Sequence, residues 1–381
     1  MYAPPRAAAK KSVEGRAAAW EDAAVARLGV DVTWLRPDRL SGAERYALEL
    51  VPALARLAEG EVVLFGRPDL PEPLAGLEVE RHDAPGVGRV AIEQAWLPWA
   101  AARARVDLLH TLASPTPVLW RGLSAMTVHD ATPWLHPDAP ETRWYARPLY
   151  PQALSRAAAI FTVSEAARED LVRSAGAPRE RVFVTPNGVD PRLFELRPSQ
   201  GPRAPYLLAV GTFEPRKNLP SLLEAFRLLR REGRDLQLVV VGRQAWMQLL
   251  PLGDLAPHVR LTGAVPDEEL HALYAAASCF VMPSLHEGFG LPLAEAMASG
   301  VPAVASDIPA LREVGGETVR YADPRDPEGF AAAIRAALDD REGSQLRAAA
   351  ARGRARRFRW EDTARATLAV YRRVLRAAGR R

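Results

Sequence analysis

Short apolar runs alternate along this chain with longer stretches of helical spacing, and after one break the alternation starts again. The first set reads RLGVDV, EVVLF, VDLLHT, SAMTVHD, AIFTVS and RVFVTP, with helical patterns such as AERYALELVPALARLA and EAAREDLVRSAG between them. The second reads YLLAVG, LQLVVVG, VRLTGAV, SCFVMPS and VPAVAS, with DEELHALYAAA among its helices. Strand, helix, strand in repetition builds a parallel sheet with helices on its faces. The break, ELRPSQGPRAP at 195–205, has the Pro, Gly and Arg content of a linker. The chain is therefore expected to be α/β, with two halves at 27–195 and 203–356 facing across a cleft. A loosely ordered, Ala-rich extension precedes them (1–26) and a terminal helix follows (357–381). Ligands of such sheets bind beyond the carboxyl ends of the strands.

The terminal helix places Leu368, Tyr371, Val374 and Leu375 on one face and arginines on the rest, which reads as a solvated outer surface rather than a nucleic-acid groove. A net charge of +4 suits anionic small molecules or an anionic membrane face and selects neither. The single cysteine, Cys279, excludes an internal disulfide framework, fits a reducing compartment and sits in a strand where a packed, inert thiol is expected. No apolar run reaches the ~18 residues that span a bilayer, and the leader lacks a continuous hydrophobic core, so the expected location is cytoplasmic.

The stretch PSLHEGFGLPLAEAMASGVPAVAS (283–306) carries the most chemistry. A strand ends, a glycine-containing loop follows, and a helix starts near Leu291, with Pro292 in its first turn and Gly300 as its stop. The amides of Gly288, Phe289 and Gly290, together with the helix dipole, favour anionic oxygens. Glu287 in the loop and Glu295 in the second helical turn can accept hydrogen bonds from hydroxyl groups. A polyhydroxylated ligand that carries phosphate needs that combination. A capping Glu287 and a solvated Glu295 are the plainer alternative.

A second cluster, far away in sequence, also expects an anion. GTFEPRKNLP (211–220) follows a strand and precedes a helix, with Gly211 at the strand end and Arg216 and Lys217 in the turn. Only three of the fifty basic residues are lysine, and two of these, Lys10 and Lys11, lie in the leader. Arg grips phosphate oxygens with a planar fork, whereas Lys supplies a compact point charge. Together they could neutralise a diphosphate without a metal, and two guanidinium groups would crowd one another there. A pair of exposed surface charges is the alternative reading of these two residues by themselves.

GTFEPRKNLPSLLEAF, LVVVGRQAW, RLTGAVPDEELHALYAAASCFVMPSLHEGFGLPLAEAMASGVPAVASDIPALREV and PNGVD resemble the retaining glycosyltransferases of family 4. In the first half, GVDVTWLRPDRLSGAERYALEL, TVHDATPWLHPD and FTVSEAARED are similar to the same family, so the likeness runs from about residue 27 to 376. The resemblance implies the GT-B fold, two Rossmann-like domains facing across a cleft, and transfer of a sugar from a nucleoside-diphosphate sugar with retention of configuration. It implies that Arg216 and Lys217 hold the donor diphosphate, that Glu287 and the Phe289–Gly290–Leu291 backbone bind the donor sugar, and that Glu295 takes the ribose hydroxyls. His129 would lie near the transferred sugar, with Asp130 holding its loop, and Gly42 would let the first loop approach the phosphates. One departure stands out: that loop reads SGAE, with Ser41 where many members have a second glycine.

Other patterns compete. GVGRVA (86–91) fits a dinucleotide-binding glycine pattern, yet Asp107 begins DLLHT instead of ending a strand. No Asp-x-Asp tripeptide occurs, and the seven histidines are scattered without ligand spacing, so no metal and no resident cofactor are expected. Two rival functions stay open: a sugar-nucleotide epimerase of the same fold, and a non-catalytic sugar-nucleotide or glycan binder. The donor, GDP-mannose or a UDP-sugar, and the acceptor, a glycan or a lipid-linked glycan, are not fixed by any residue. Trp134, Trp144, Tyr145 and Tyr150, among arginines, suit a membrane interface, an acceptor's sugar faces or loop packing.

Overall fold

The computed structural model describes residues 26–36, 42–58, 60–135, 147–196, 205–243 and 252–379. The leader up to residue 25, Ser41, Trp144, Tyr145 and residues 197–204 of the linker lie outside these.

In the first half, β1 (Arg27–Asp31), α1 (Gly42–Leu57), β2 (Glu61–Gly66), β3 (Glu80–Asp83), α2 (Arg89–Ala91), a π-helical turn (Ile92–Trp96) and α3 (Leu97–Arg103) come first. Then come β4 (Leu108–Thr111), β5 (Leu123–Thr127), α4 (Thr132–Leu135), α5 (Arg147–Arg156), β6 (Ala159–Thr162), α6 (Glu165–Ala175) and β7 (Val182–Val184). All pairings are parallel and the order is β3-β2-β1-β4-β5-β6-β7.

The second half holds β8 (Tyr206–Val210), α7 (Leu219–Arg231), β9 (Gln237–Val241), β10 (Val259–Gly263), α8 (Asp267–Ala276), β11 (Cys279–Met282) and α9 (Leu291–Ser299). After these run β12 (Ala303–Ser306), α10 (Pro309–Gly315), β13 (Arg320–Ala322), α11 (Pro327–Asp339), α12 (Arg341–Ala355) and α13 (Trp360–Ala377). Its sheet is parallel in the order β10-β9-β8-β11-β12-β13. Helices cover both faces of each sheet, which is why central strands such as YLLAV and QLVVV are apolar almost without alternation.

Both sheets reverse direction between their first and fourth strands. Such a reversal opens a crevice at the carboxyl ends of the two strands that flank it. In the second half those strands are β8 and β11, so 211–218 and 283–290 become neighbouring loops. In the first half they are β1 and β4, and His129 follows the adjacent β5.

The chain crosses between the halves twice, and the crossings touch. Val189 N–H donates to the Phe358 carbonyl at 3.1 Å, and a Cβ on Gly188 would stand 2.3 Å from the Trp360 nitrogen. Helix α13 then lies against α1 and β6 of the first half, burying Trp360, Leu368, Tyr371, Val374 and Leu375. Cys279 is fully buried, and burial pushes its thiol up to about 12, as an inert packed cysteine requires. Asp107 accepts from the Arg27 backbone N–H at 3.0 Å, an anchor between strand starts, and so does not sit where a dinucleotide-binding acid would.

Candidate active site

The turn after β8 is built by Asn218, which adopts left-handed geometry (φ 55°, ψ 36°), a conformation that Asn tolerates better than most residues. Its side-chain amide donates to the carbonyls of Pro283 (3.0 Å) and Pro324 (2.6 Å), and Leu285 N–H donates to the Arg216 carbonyl at 2.8 Å. The two loops at the crevice are thus stitched together by backbone groups, and Arg216 and Lys217 are brought against Glu287. Lys217 Nζ lies 2.7 Å from Glu287 Oε1, and Arg216 Nη1 lies 3.4 Å from Oε2. Glu214 Oε2 accepts from Arg216 Nε at 2.8 Å and its other oxygen from Thr212 Oγ1 at 2.8 Å. Gly211 backs the lysine: a Cβ there would meet Lys217 Cε at 3.3 Å.

These charges are largely withdrawn from solvent, with side-chain exposures of 18% for Arg216, 12% for Lys217 and 7% for Glu287. Burial opposes ionisation of Glu287, but Lys217 and Arg216 together hold its carboxyl below the ordinary value. Burial lowers the Lys217 pKa, with Glu287 resisting and Arg216 reinforcing the shift. The site is a preformed cationic pair held by two carboxylates, Glu287 and Glu214, and an incoming diphosphate can take over the pairing with Glu287.

The first half closes over this loop. Gly288 packs so tightly on the 129–130 backbone that a Cβ would sit 2.0 Å from the His129 carbonyl oxygen. Ser164 Oγ donates to the Gly288 carbonyl, and Asp130 faces Arg216, whose charge helps hold the Asp130 carboxyl low against the opposing effect of burial. His286 Nε2 pairs with Asp170 at 3.0 Å, and Glu313 accepts from the Glu165 and Ala166 amides at the start of α6 (3.0 and 3.2 Å). His129 itself is well defined. Its Nε2 lies 2.9 Å from the Leu112 carbonyl, which only a protonated nitrogen can satisfy, so Nδ1 is left as an acceptor. Burial pushes the imidazole below its ordinary value and keeps it neutral.

Phe289 turns its ring away, edge-on to Phe358 at 5.3 Å, so only its backbone is free for a ligand. Gly290 (φ 95°) opens α9, and a Cβ would strike Leu311 at 2.4 Å; Leu291 is the first residue of that helix. Glu295 lies in a second polar group, where Tyr274 O–H donates to its Oε2 at 2.9 Å. There Arg45, from the first turn of α1, forks onto Asp267 (2.8 Å for one arm), linking the halves again. Gly42 begins α1, and a Cβ there would meet none of the described residues within 4 Å. Trp134 packs on Tyr150 with ring centroids 4.9 Å apart, which assigns those two aromatics to loop packing. Sequence reasoning missed Glu214, Asn218, Arg45, Asp267 and Tyr274. Of these only Asn218, directly before a Leu-Pro helix start, left a local signal.

Burial raises the Glu295 carboxyl from about 4.5 to about 7, against the opposing pull of Arg45 and the Tyr274 hydroxyl. Through that interval the folded state binds more protons than the unfolded one, so the stabilisation present below about 4.5 is lost as pH rises to 7. Relative to Glu295→Gln, the wild type is expected to lose roughly 2–3 kcal/mol of stability over this window. Parallel thermal melts of the two proteins from pH 4.5 to 8 measure it; curves that stay parallel contradict the assignment.

Two facing doubly wound sheets, with a cationic pair and carboxylates on loops at their switch points, define a sugar-nucleotide-dependent transferase of the GT-B type. Residues 40–193 match Glycosyltransferase Family 4 and residues 204–340 match Glycosyl transferases group 1. The chain is 36% identical over 264 residues to the O-antigen chain mannosyltransferase B of Escherichia coli, covering 64% of this chain and 69% of that one. It is 33% identical over 277 residues to the MMP alpha-(1->4)-mannosyltransferase of Mycolicibacterium hassiacum, 66% of each chain. The fold matches sucrose-phosphate synthase from Thermosynechococcus elongatus (TM-score 0.74, 22% identity, covering 92% of this chain and 100% of that one). It also matches Anabaena Alr3699/HepE in complex with UDP and glucose (TM-score 0.70, 18% identity, covering 93% and 100%). The chain belongs to the family 4 glycosyltransferases and transfers glycosyl groups from nucleoside-diphosphate sugars.

Proposed function

We propose that this enzyme is a retaining mannosyltransferase that moves mannose from GDP-mannose to a growing cell-envelope glycan, without a metal. The observation that carries the donor site is the convergence of Arg216 and Lys217 on Glu287, opposite His129 and Asp130. Two buried cations match the charge of a diphosphate leaving group, and stabilise it where it departs. Glu287 and the Gly288–Leu291 backbone bind the donor sugar, His129 Nδ1 accepts from one of its hydroxyls, and Glu295 takes the ribose. Mannose is favoured over glucose because the E. coli and M. hassiacum relatives above are mannosyltransferases. The test is a metal-free thermal-shift panel of GDP, UDP and ADP followed by GDP release from GDP-mannose with chelator present. Stabilisation by GDP and chelator-resistant release are expected; stabilisation by UDP alone reassigns the donor, and loss of release with chelator removes the metal-free mechanism.

The acceptor is proposed to be lipid-linked, with the enzyme docked on the cytoplasmic membrane face. No described helix is long and apolar enough to cross a membrane. However, Val87 (51%), Val90 (54%), Trp99 (60%) and Leu119 (60%) are all exposed in the first half. From 87 to 103 the exposed positions are Val, Ala, Trp, Gly and Arg, with Arg103 over the Trp99 ring at 5.8 Å, while the one acid of that stretch, Glu93, is buried. An apolar strip flanked by arginines and free of exposed carboxylate suits an anionic lipid surface. Co-sedimentation with phosphatidylglycerol vesicles, but not phosphatidylcholine vesicles, is expected, and Trp99→Glu should reduce it about tenfold. Equal recovery in the supernatant for both vesicle types defeats the proposal.

A further inference from the structure

His110 is a buried histidine outside the donor site and has no charged partner among the described residues. It sits on β4 two residues before Leu112, whose carbonyl holds His129. Its Nδ1 bonds the Tyr371 hydroxyl of α13, and its Nε2 lies 2.9 Å from Thr127 Oγ1. Thr127 is the last residue of β5, two residues before His129, and the register that sets Ala125 beside His110 puts Thr127 and His110 on the same face of adjacent strands. The Tyr46 hydroxyl lies 3.4 Å from that same Thr127 oxygen. The Tyr46 ring stands edge-on to His129, with centroids 4.7 Å apart and planes at 84°, and also meets Trp360 at 5.9 Å. His129 therefore has two supports, the Leu112 carbonyl and the Tyr46 ring, and both are tied to α13 through this chain of contacts.

We infer that Tyr371 and His110 are positioning residues for His129, so that the returning helix α13 orients the imidazole that meets the donor sugar. The inference rests on the reading of His129 as a donor-sugar ligand. Burial holds His110 down near 3, so it is neutral and must donate through one nitrogen and accept through the other. That gives the chain a direction: if Tyr371 O–H donates to Nδ1, Nε2–H donates to Thr127. Losing the Tyr371 hydroxyl removes the bond that orients His110 and leaves Nδ1 unsatisfied in a buried site. The Tyr371 ring is held independently, edge-on to His110 at 5.5 Å and to Phe161 at 5.7 Å, so Tyr371→Phe preserves the packing.

The test is a double-mutant cycle on GDP release from GDP-mannose. Tyr371→Phe is expected to lower kcat about tenfold through misplacement of His129, with KM for GDP-mannose unchanged within about twofold. Thr127→Val, which breaks the chain at its middle, is expected to reproduce that split. In the His129→Ala background, Tyr371→Phe should cost nothing further, because the group it positions is gone. The same loss in both backgrounds, or wild-type kcat in Tyr371→Phe, overturns the inference. Wild-type turnover in His129→Ala alone removes the role of His129 itself, and the positioning role with it, a pattern distinct from an additive cycle.

Discussion

Lys217→Ala is expected to lower kcat/KM by roughly 10²–10³-fold and to abolish stabilisation by the nucleotide. The ammonium is one of two cations available to a diphosphate at the crevice, and it works in a site withdrawn from water, where a lost charge is not replaced by solvent. Arg216 stays within 3.4 Å of Glu287, so the carboxylate keeps a partner and the unliganded protein should melt close to wild type. Lys217→Arg discriminates further. A Cβ on Gly211 would stand 3.3 Å from the lysine Cε, and the neighbouring position is already filled by a guanidinium braced on Glu214. A second planar fork would have to share that corner with the first, so the arginine variant is expected to recover less than about a tenth of wild-type turnover despite its conserved charge. Full turnover in Lys217→Arg, measured by nucleotide release, would show that charge alone matters and that the scarcity of lysine is accidental.

Gly288→Ala should be nearly as damaging, by a different route. No left-handed geometry is required at 288, so alanine costs little within its own loop, but its methyl would stand 2.0 Å from the His129 carbonyl of the other half. The clash falls between the two halves, and they are expected to relieve it by moving apart. A loss of about 100-fold in kcat is expected, with the melting temperature changed by only a few degrees, because the groups that meet the two ends of the donor no longer converge. Small-angle scattering should report a larger radius of gyration than for the wild type. A variant that keeps both wild-type compactness and activity would mean that the contact yields locally.

Much of the fold was legible because central strands of parallel sheets are apolar on both faces, and those runs stand out without any alternation. The strands that escaped are the edges. β3 is ERHD and β13 is RYA, short and polar where one side faces solvent, and neither looks like a strand in isolation. The π-helical turn at 92–96 has no sequence signature either. At the site, the paired glutamates, Arg216, Lys217 and His129 were readable because each sits in a dense local motif. Arg45, Asp267 and Tyr274 were not, since their meeting depends on how the halves face each other, which no local pattern encodes.

The return of α13 also has a consequence for how the protein is made. The segment 27–184 is synthesised before α13, yet Tyr46, His110 and Phe161 pack against Trp360 and Tyr371. At elongation rates of about 5–20 residues per second the roughly 180 intervening residues take on the order of 10–35 s to appear. Throughout that interval those three side chains lack the contacts that Trp360 and Tyr371 supply. Completion of this part of the core is therefore coupled to the synthesis of α13, and chaperones that shield exposed apolar surface have their natural window before it.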